Sequence, residues 1–260
     1  MSKKAVLVVS YGTSYIETRE KTIGAVEKAV AAAYPDRELR RAFTARMVID
    51  IVKRKEGIQI DFIKDALDRL LSEGFDDVVV QSTHIMNGGQ FDYVAQAVNE
   101  YKGRFASLCL GLPLLTSDED YDRVVETVLQ EFAPADDETA LVLMGHGTVH
   151  YANATYSQLH LKFQYGGHRN VFVTTVGGVP EFDDTIGELG GEGFRKVVLV
   201  PLMVVAGDHA TNDLAGPEED SLRSLMEKEG YQVTCIVKGL GENPAFQKLF
   251  VEHALAAKQI

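Results

Sequence analysis

Short apolar, β-branched runs alternate along the chain with longer stretches in which apolar positions recur every three or four residues. The apolar runs occupy 4–10 (KAVLVVS), 39–45, 77–83 (DVVVQST), 106–110, 139–144 (TALVLM), 171–176 (VFVTTV), 196–203 (KVVLVPLM) and 231–237 (YQVTCIV). A strand that is apolar at every position is covered on both faces, as in a parallel sheet sandwiched by helices. Between the runs the spacing predicts helices. In 17–33, Ile23, Val26 and Val30 share one face, and in 58–73 Ile60, Ile63, Ala66, Leu67, Leu70 and Leu71 do so. Helical spacing also covers 91–102, 118–132, 181–190, 213–229 and 244–257. Pro35, Pro113 and Pro134 fall between these segments, where proline is tolerated. Strand followed by helix, repeated, predicts an α/β fold with parallel sheets.

The stretch APADDET, 133–139, reads as a linker between an N-terminal α/β lobe, 1–134, and a C-terminal one, 135–260. The lobes look alike. SYGT (Ser10–Thr13) follows the first strand and GHGT (Gly145–Thr148) the corresponding strand of the second half, which sets Tyr11 opposite His146, 135 positions on. DVVVQSTHIMNGGQF (77–91) lies against KVVLVPLMVVAGDHA (196–210) at an offset of 119, setting His84 opposite Met203, Gly88 opposite Gly207 and Gln90 opposite His209. Cys109 and Cys235 fall in the same strand of each half. Matches in one order predict an internal duplication: two similar lobes facing each other across a cleft lined by loops at the strands' carboxyl ends.

Composition narrows the partners. With 26 Lys and Arg against 38 Asp and Glu, the 260-residue chain carries a net charge of -12, which argues against nucleic acid and anionic membranes and suits a cation. No run approaches the roughly 18 apolar residues that cross a bilayer. The apolar run at the N-terminus is too short for a signal sequence, and the two cysteines read as buried thiols. A cytoplasmic protein is expected.

Two histidines stand beside glycines just past strand ends: His146 between Gly145 and Gly147, and His209 after Gly207 in VVAGDHATND. Glycine permits a tight turn and lets a ligand approach without a Cβ in the way. For either histidine alone, a hydrogen-bonded structural residue is the plainer explanation. Two of them in cleft loops of the C-terminal lobe favour a transition-metal ligand or a proton acceptor near neutral pH. His146 and His150 form H-x-x-x-H, but Gly147 stands where a zinc hydrolase needs glutamate. A phosphohistidine enzyme would need arginine before His146 and finds Gly145. Neither SYGTS nor GGVPEF is a nucleotide-binding glycine loop. His168 is expected in a surface turn, and His160 and His253 on helices facing solvent.

SYGTS, VVVQSTHIMNG (78–88), LMGHGT (143–148) and PLMVVAGDHATNDLAG (201–216) together resemble the anaerobic sirohydrochlorin cobalt chelatases, class II chelatases related to protoporphyrin ferrochelatase. The resemblance spans nearly the whole chain. It implies two flavodoxin-like lobes holding the tetrapyrrole between them, and ATP-independent insertion of Co²⁺ into sirohydrochlorin on the anaerobic route to cobalamin. It also implies that His146 and His209 are the metal-site and catalytic histidines, with no cofactor beyond the substrate metal, Co²⁺ or alternatively Fe²⁺. The chain departs from the family pattern where cleft carboxylates are usual, reading Gly88-Gly89-Gln90 and, in TTVGGVPEF, Gly177. Glu181, Asp92 and Asp208 are the nearest acids, with Glu181 the first candidate for a third metal ligand.

The tetrapyrrole's contacts are expected from Ser10, Tyr11, Gly12, Thr13, Ser14, His84, Gly88, Gln90, Thr148, Met203 and Gly207. Among them hydroxyls and backbone N–H groups, with Ser82 and the cation Arg46, would receive the ligand's carboxylates, and Tyr11 would stack on the ring. A neutral imidazole beside the macrocycle would take a pyrrole proton and hold the metal before handover, while a bent macrocycle exposes its nitrogen lone pairs. Sirohydrochlorin and Co²⁺ are therefore the expected partners, with no nucleic acid and no membrane, and self-association is left open. Rival readings are an iron chelatase making sirohaem and a two-lobed carrier that binds without turnover.

Overall fold

The computed structural model describes residues 2–134 and 136–260, so Ala135 of the expected linker lies outside the described residues. In order, the chain forms β1 (Lys4–Ser10), α1 (Ile16–Lys21), α2 (Ile23–Ala33), β2 (Glu38–Phe43), α3 (Arg46–Glu56), β3 (Asp61–Phe62), α4 (Ile63–Ser72), β4 (Asp77–Ser82), α5 (Gly89–Asn99) and β5 (Ser107–Gly111). It continues with α6 (Asp118–Phe132), β6 (Thr139–Gly145), α7 (Ala154–Tyr165), β7 (Val171–Thr175), α8 (Phe182–Gly190), β8 (Lys196–Pro201), α9 (Leu222–Lys228), β9 (Gln232–Cys235), α10 (Pro244–Leu255) and β10 (Lys258–Gln259). One sheet has the order β10-β5-β4-β1-β2-β3 and the other β7-β6-β8-β9. Every pairing is parallel except that of β10, which runs antiparallel to β5. This is an α/β fold with parallel sheets. The central strands are sealed on both faces, β6 at all its positions and β1 from Ala5 onward, as their unbroken apolar runs require.

The chain divides into two compact units, but not at the expected boundary. Unit 1 runs to Thr116 and takes back Gly241–Ile260, while unit 2 is Ser117–Leu240. Helix α6 belongs to unit 2, where Lys162 of α7 pairs with both Asp118 and Asp122. The C-terminal segment returns to unit 1 because α10 buries Phe246 and Phe250 and β10 completes that unit's sheet edge. The Tyr34 hydroxyl also donates to the Ala254 carbonyl at 2.5 Å.

The duplication holds in the hydrogen-bond pattern. β1 meets β4 with Lys4 beside Asp77, and β6 meets β8 with Thr139 beside Lys196, which reproduces both offsets at once. Beyond the strands, Thr83 N–H donates to the Val9 carbonyl as Leu202 does to Met144. Ala45 donates to Tyr11 as Gly177 does to His146, so Tyr11 and His146 are structural equivalents. Asp92 donates to Gly88 as Thr211 does to Gly207. The cysteines share a strand but not a position: Cys109 sits beside Val79, and Cys235 beside Leu199 rather than Val198. Neither forms a disulfide.

Several elements differ from the periodicity. The 17–33 helix breaks at Thr22, whose hydroxyl bonds back to the Thr18 carbonyl. The 58–73 helix starts only at Ile63, because Asp61–Phe62 pairs with β2. The 213–229 helix starts at Leu222, after Pro217 and with Ser221 as its cap. Two helices lie outside the periodic segments. α3 is rich in charge and begins within two residues of the end of the 39–45 run, and the apolar residues of α7 do not gather into a clear stripe. No described helix is long and apolar enough to cross a membrane.

Candidate functional site

In unit 2, β6 delivers His146 to the surface at its carboxyl end. The glycines flanking it serve the protein rather than a ligand. A Cβ on Gly145 would lie 2.1 Å from the ring of Tyr156, a fully buried residue of α7. Gly147 has φ +76, and a Cβ there would meet the backbone of Gly177 and Gly178 at 2.6 Å. The Gly177 N–H donates to the His146 carbonyl at 3.0 Å, so Gly177 is a backbone clamp on the histidine loop in the place where an acid was expected. Asn153 ties the same loops together. Its Oδ1 accepts from Thr148 N–H at 3.0 Å and its Nδ2 donates to the Val179 carbonyl at 2.7 Å. Burial pushes the Tyr156 phenol up to about 12, against the opposing pull of the Gly147 and His146 backbone beside it. His146 is thus an exposed side chain on a stiff loop.

His209 lies beyond β8, immediately before a single π-helical turn, Ala210–Leu214. Its ring meets that of His146 edge to face, with centroids 4.5 Å apart and planes at 85°. Both Nδ1 atoms are tied back: His146 Nδ1 lies 2.9 Å from the Gly147 carbonyl and His209 Nδ1 lies 2.7 Å from Asp213 Oδ2. A carbonyl and a carboxylate only accept, so in the neutral rings each Nδ1 carries the hydrogen and each Nε2 keeps its lone pair. Two neighbouring imidazoles with free Nε2 lone pairs suit a borderline transition-metal dication or a proton.

Glu181 does not join them. Among the described residues, no group of three or more His, Cys, Asp or Glu is placed to hold a metal. Glu181 is exposed at the start of α8, where its N–H donates to Asp184 Oδ2. Asp208 accepts from Asn212 Nδ2 at 3.0 Å, and Asp92 is an exposed residue in the first turn of α5. The acid that reaches the histidine pair is Asp213. The sequence carried a signal for it, since HATND sets Asp213 four residues after His209, on the same face of a helical turn. Tyr156 and Asn153 carried none, because their contacts depend on how α7 packs.

The other expected contacts are spread over both units. In unit 1, Ser10 and Ser82 are buried and already engaged: Thr83 donates to the Ser10 hydroxyl at 2.8 Å, and Ser82 Oγ bonds His84 Nδ1 at 2.8 Å. As placed, both hydroxyls are closed off from solvent. Thr13 is buried and its Oγ1 accepts from Tyr15 N–H, whereas Ser14 is half-buried and Tyr11 half-exposed at the end of β1. Gly12, at φ +103, makes room for the Phe43 ring. Burial lowers the His84 imidazole to about 4, and its Nε2 is sealed from solvent with no partner. Gly88 is buried at the start of α5, and Gln90 is exposed in its first turn. Arg46 is exposed with its guanidinium 3.7 Å from the Phe62 ring centroid. In unit 2, Thr148 is half-buried, a Cβ on Gly207 would meet Val205 Cγ1 at 3.9 Å, an ordinary contact, and Met203 packs against the hydrophobic core. His160 does not face solvent; its Nδ1 accepts from Val173 N–H at 3.3 Å.

Comparison with known proteins accords with this arrangement. Sirohydrochlorin cobaltochelatase of Salmonella typhimurium strain LT2 is 42% identical over 255 residues, covering 96% of this chain and 95% of that one. Sirohydrochlorin cobaltochelatase CbiKC of Nitratidesulfovibrio vulgaris strain Hildenborough is 31% identical, covering 99% and 91%. Among solved structures, SirB from Bacillus subtilis with Fe3+ superposes with a TM-score of 0.65 at 12% identity, covering 96% of this chain and 94% of that one. CbiX, described as the terminal enzyme for siroheme biosynthesis in denitrifying bacteria, gives 0.53 at 16% identity, covering 98% and 100%. At those identities the two structures speak for the fold alone. The model of the cobalt chelatase (CbiK) family matches residues 4–259, and the chain belongs to that family.

Proposed function

We propose that the protein is a sirohydrochlorin cobaltochelatase, inserting Co²⁺ into the tetrapyrrole without ATP. The observation that carries this reading is the pair of edge-to-face imidazoles, each tied back through Nδ1. Insertion needs two pyrrole protons removed and the metal's water stripped away. An imidazole Nε2 lone pair can do either, taking a proton or holding the dication until the macrocycle nitrogens replace it. Two protein ligands, rather than a closed set, leave coordination positions for water and then for the macrocycle. A substrate metal that must leave requires such a site, in contrast to a structural one. Within unit 1, Tyr11, Ser14, Arg46 and Gln90 remain the accessible candidates for touching the tetrapyrrole.

An absorbance assay with sirohydrochlorin tests this, run without nucleotide and with Co²⁺, Fe²⁺ or Ni²⁺ in turn. The expected result is a metallated product with catalytic turnover on Co²⁺. A shift on mixing that never progresses to product would make the protein a carrier, and faster turnover with Fe²⁺ would assign it to sirohaem.

A further inference from the structure

Position 213 is where the duplicated units part company. In unit 1, α5 begins with Phe91 and Val94 as its buried residues, three positions apart. The offset of 119 carries them to Ala210 and Asp213. In unit 2, however, the buried residues of the turn are Ala210 and Leu214, four apart. The turn there is π-helical, and a π turn accommodates one extra residue. The core-facing place moves to Leu214, and position 213 swings out of the core. Asp213 is consequently part-exposed, with Oδ2 2.7 Å from His209 Nδ1. Unit 1 has neither partner, holding Gln90 and Val94 in the corresponding places.

We propose that Asp213 is a positioning residue for metal insertion, set in place by the π turn to hold His209 in the Nδ1–H tautomer with its Nε2 lone pair available to the incoming dication. The inference deepens the chelatase reading and rests on it. A neutral imidazole otherwise divides between two tautomers, and the one protonated on Nε2 cannot bind a metal there. A carboxylate enforces the choice because it only accepts. Carboxylate–histidine–metal arrays use the same arrangement, and losing the outer partner costs about 10–100-fold in metal affinity or activity. The Gly147 carbonyl does the same for His146, from the backbone, where no side-chain substitution can remove it.

The test has two arms. Imidazole ¹⁵N NMR on labelled wild-type protein, at a pH where the ring is neutral, should show His209 protonated on Nδ1. Asp213→Asn should release that preference, since an amide donates as readily as it accepts, and Asp213→Glu should restore part of it. Co²⁺ titration calorimetry without tetrapyrrole should show the Asn variant about 10–100-fold weaker, with a matching rise in KM for Co²⁺ and a smaller change in kcat. A wild-type His209 protonated on Nε2, or an Asn variant that binds Co²⁺ as tightly as wild type, would overturn the inference. If Asp213→Asn does not fold, the wild-type tautomer decides alone. A wild-type protein that never metallates sirohydrochlorin would sink the chelatase reading while leaving the tautomer result to decide on Asp213.

Discussion

His146 and His209 reach the same place by different routes, one braced by a backbone carbonyl and the other by a side-chain carboxylate. In the proposed reaction, replacing either with alanine would remove a ligand and a proton acceptor together. His146→Ala and His209→Ala should each lower Co²⁺ insertion at least about a hundredfold, with thermal unfolding nearly unchanged because both lie outside the core. Wild-type turnover in the folded double variant would remove both residues from the reaction. His84 plays another part. Burial lowers its pKa to about 4, below the ~6.5 of an unfolded imidazole, so the unfolded chain takes up the proton first. The associated stability is complete above about pH 6.5 and is lost as the pH falls toward 4, by about 2 kcal/mol at pH 5. Urea unfolding at pH 7 and pH 5 should show the wild type losing about that much more than His84→Gln; equal losses would mean that solvent reaches the ring. At this scale the sequence disclosed the residues but not their neighbours. Glycine on both sides of His146 read as space for a ligand, whereas the space is filled by Tyr156 and by the 177–178 backbone.

The loop between β6 and α7 shows why elements matter to the site. Tyr156 can lie against the end of β6 only because Gly145 has no Cβ, and its phenol then meets the histidine loop from below. Gly145→Ala should therefore destabilise unit 2 by about 1–3 kcal/mol through overpacking, seen as a fall of several degrees in the unfolding midpoint. Tyr156→Phe keeps the ring and loses the hydroxyl, so it should fold and yet slow insertion through a looser His146 loop. A Gly145→Ala variant as stable as wild type would show that the ring can move aside at little cost. All eight expected strands form; the most apolar runs, β1 and β6, have few alternatives inside a parallel sheet, while β2 forms beside β1 despite Arg40 and Arg41. Helices were less legible wherever a capping or tertiary interaction overrode their period. α7 sits on β7 without a clear apolar stripe, and Ser221 rather than the 213–229 pattern decides where α9 starts.

At the scale of the molecule, one architecture is used twice and then modified. β5-β4-β1-β2 and β9-β8-β6-β7 are the same four-strand order, so the repeat in the sequence was a repeat of topology. What the repeat could not disclose is the way the C-terminal segment crosses back to unit 1. Nothing in the helical pattern of 244–257 says which sheet it will cover; that is decided by Phe246 and Phe250, the β10–β5 pairing and the Tyr34–Ala254 bond. Fully burying two phenylalanines is worth several kcal/mol, of the same order as the net stability of a whole domain. A chain ending at Leu240 should therefore lose unit 1 selectively. Hydrogen exchange read by mass spectrometry should show peptides of β1 and β4 exchanging far faster than in the full chain, while peptides of β6 and β8 keep most of their protection. Equal protection of β1 in both proteins would mean that α10 and β10 only decorate a sheet that is stable without them. If β6 lost protection together with β1, the two units would unfold as one cooperative body, and the division at Thr116 and Gly241 would describe packing density alone.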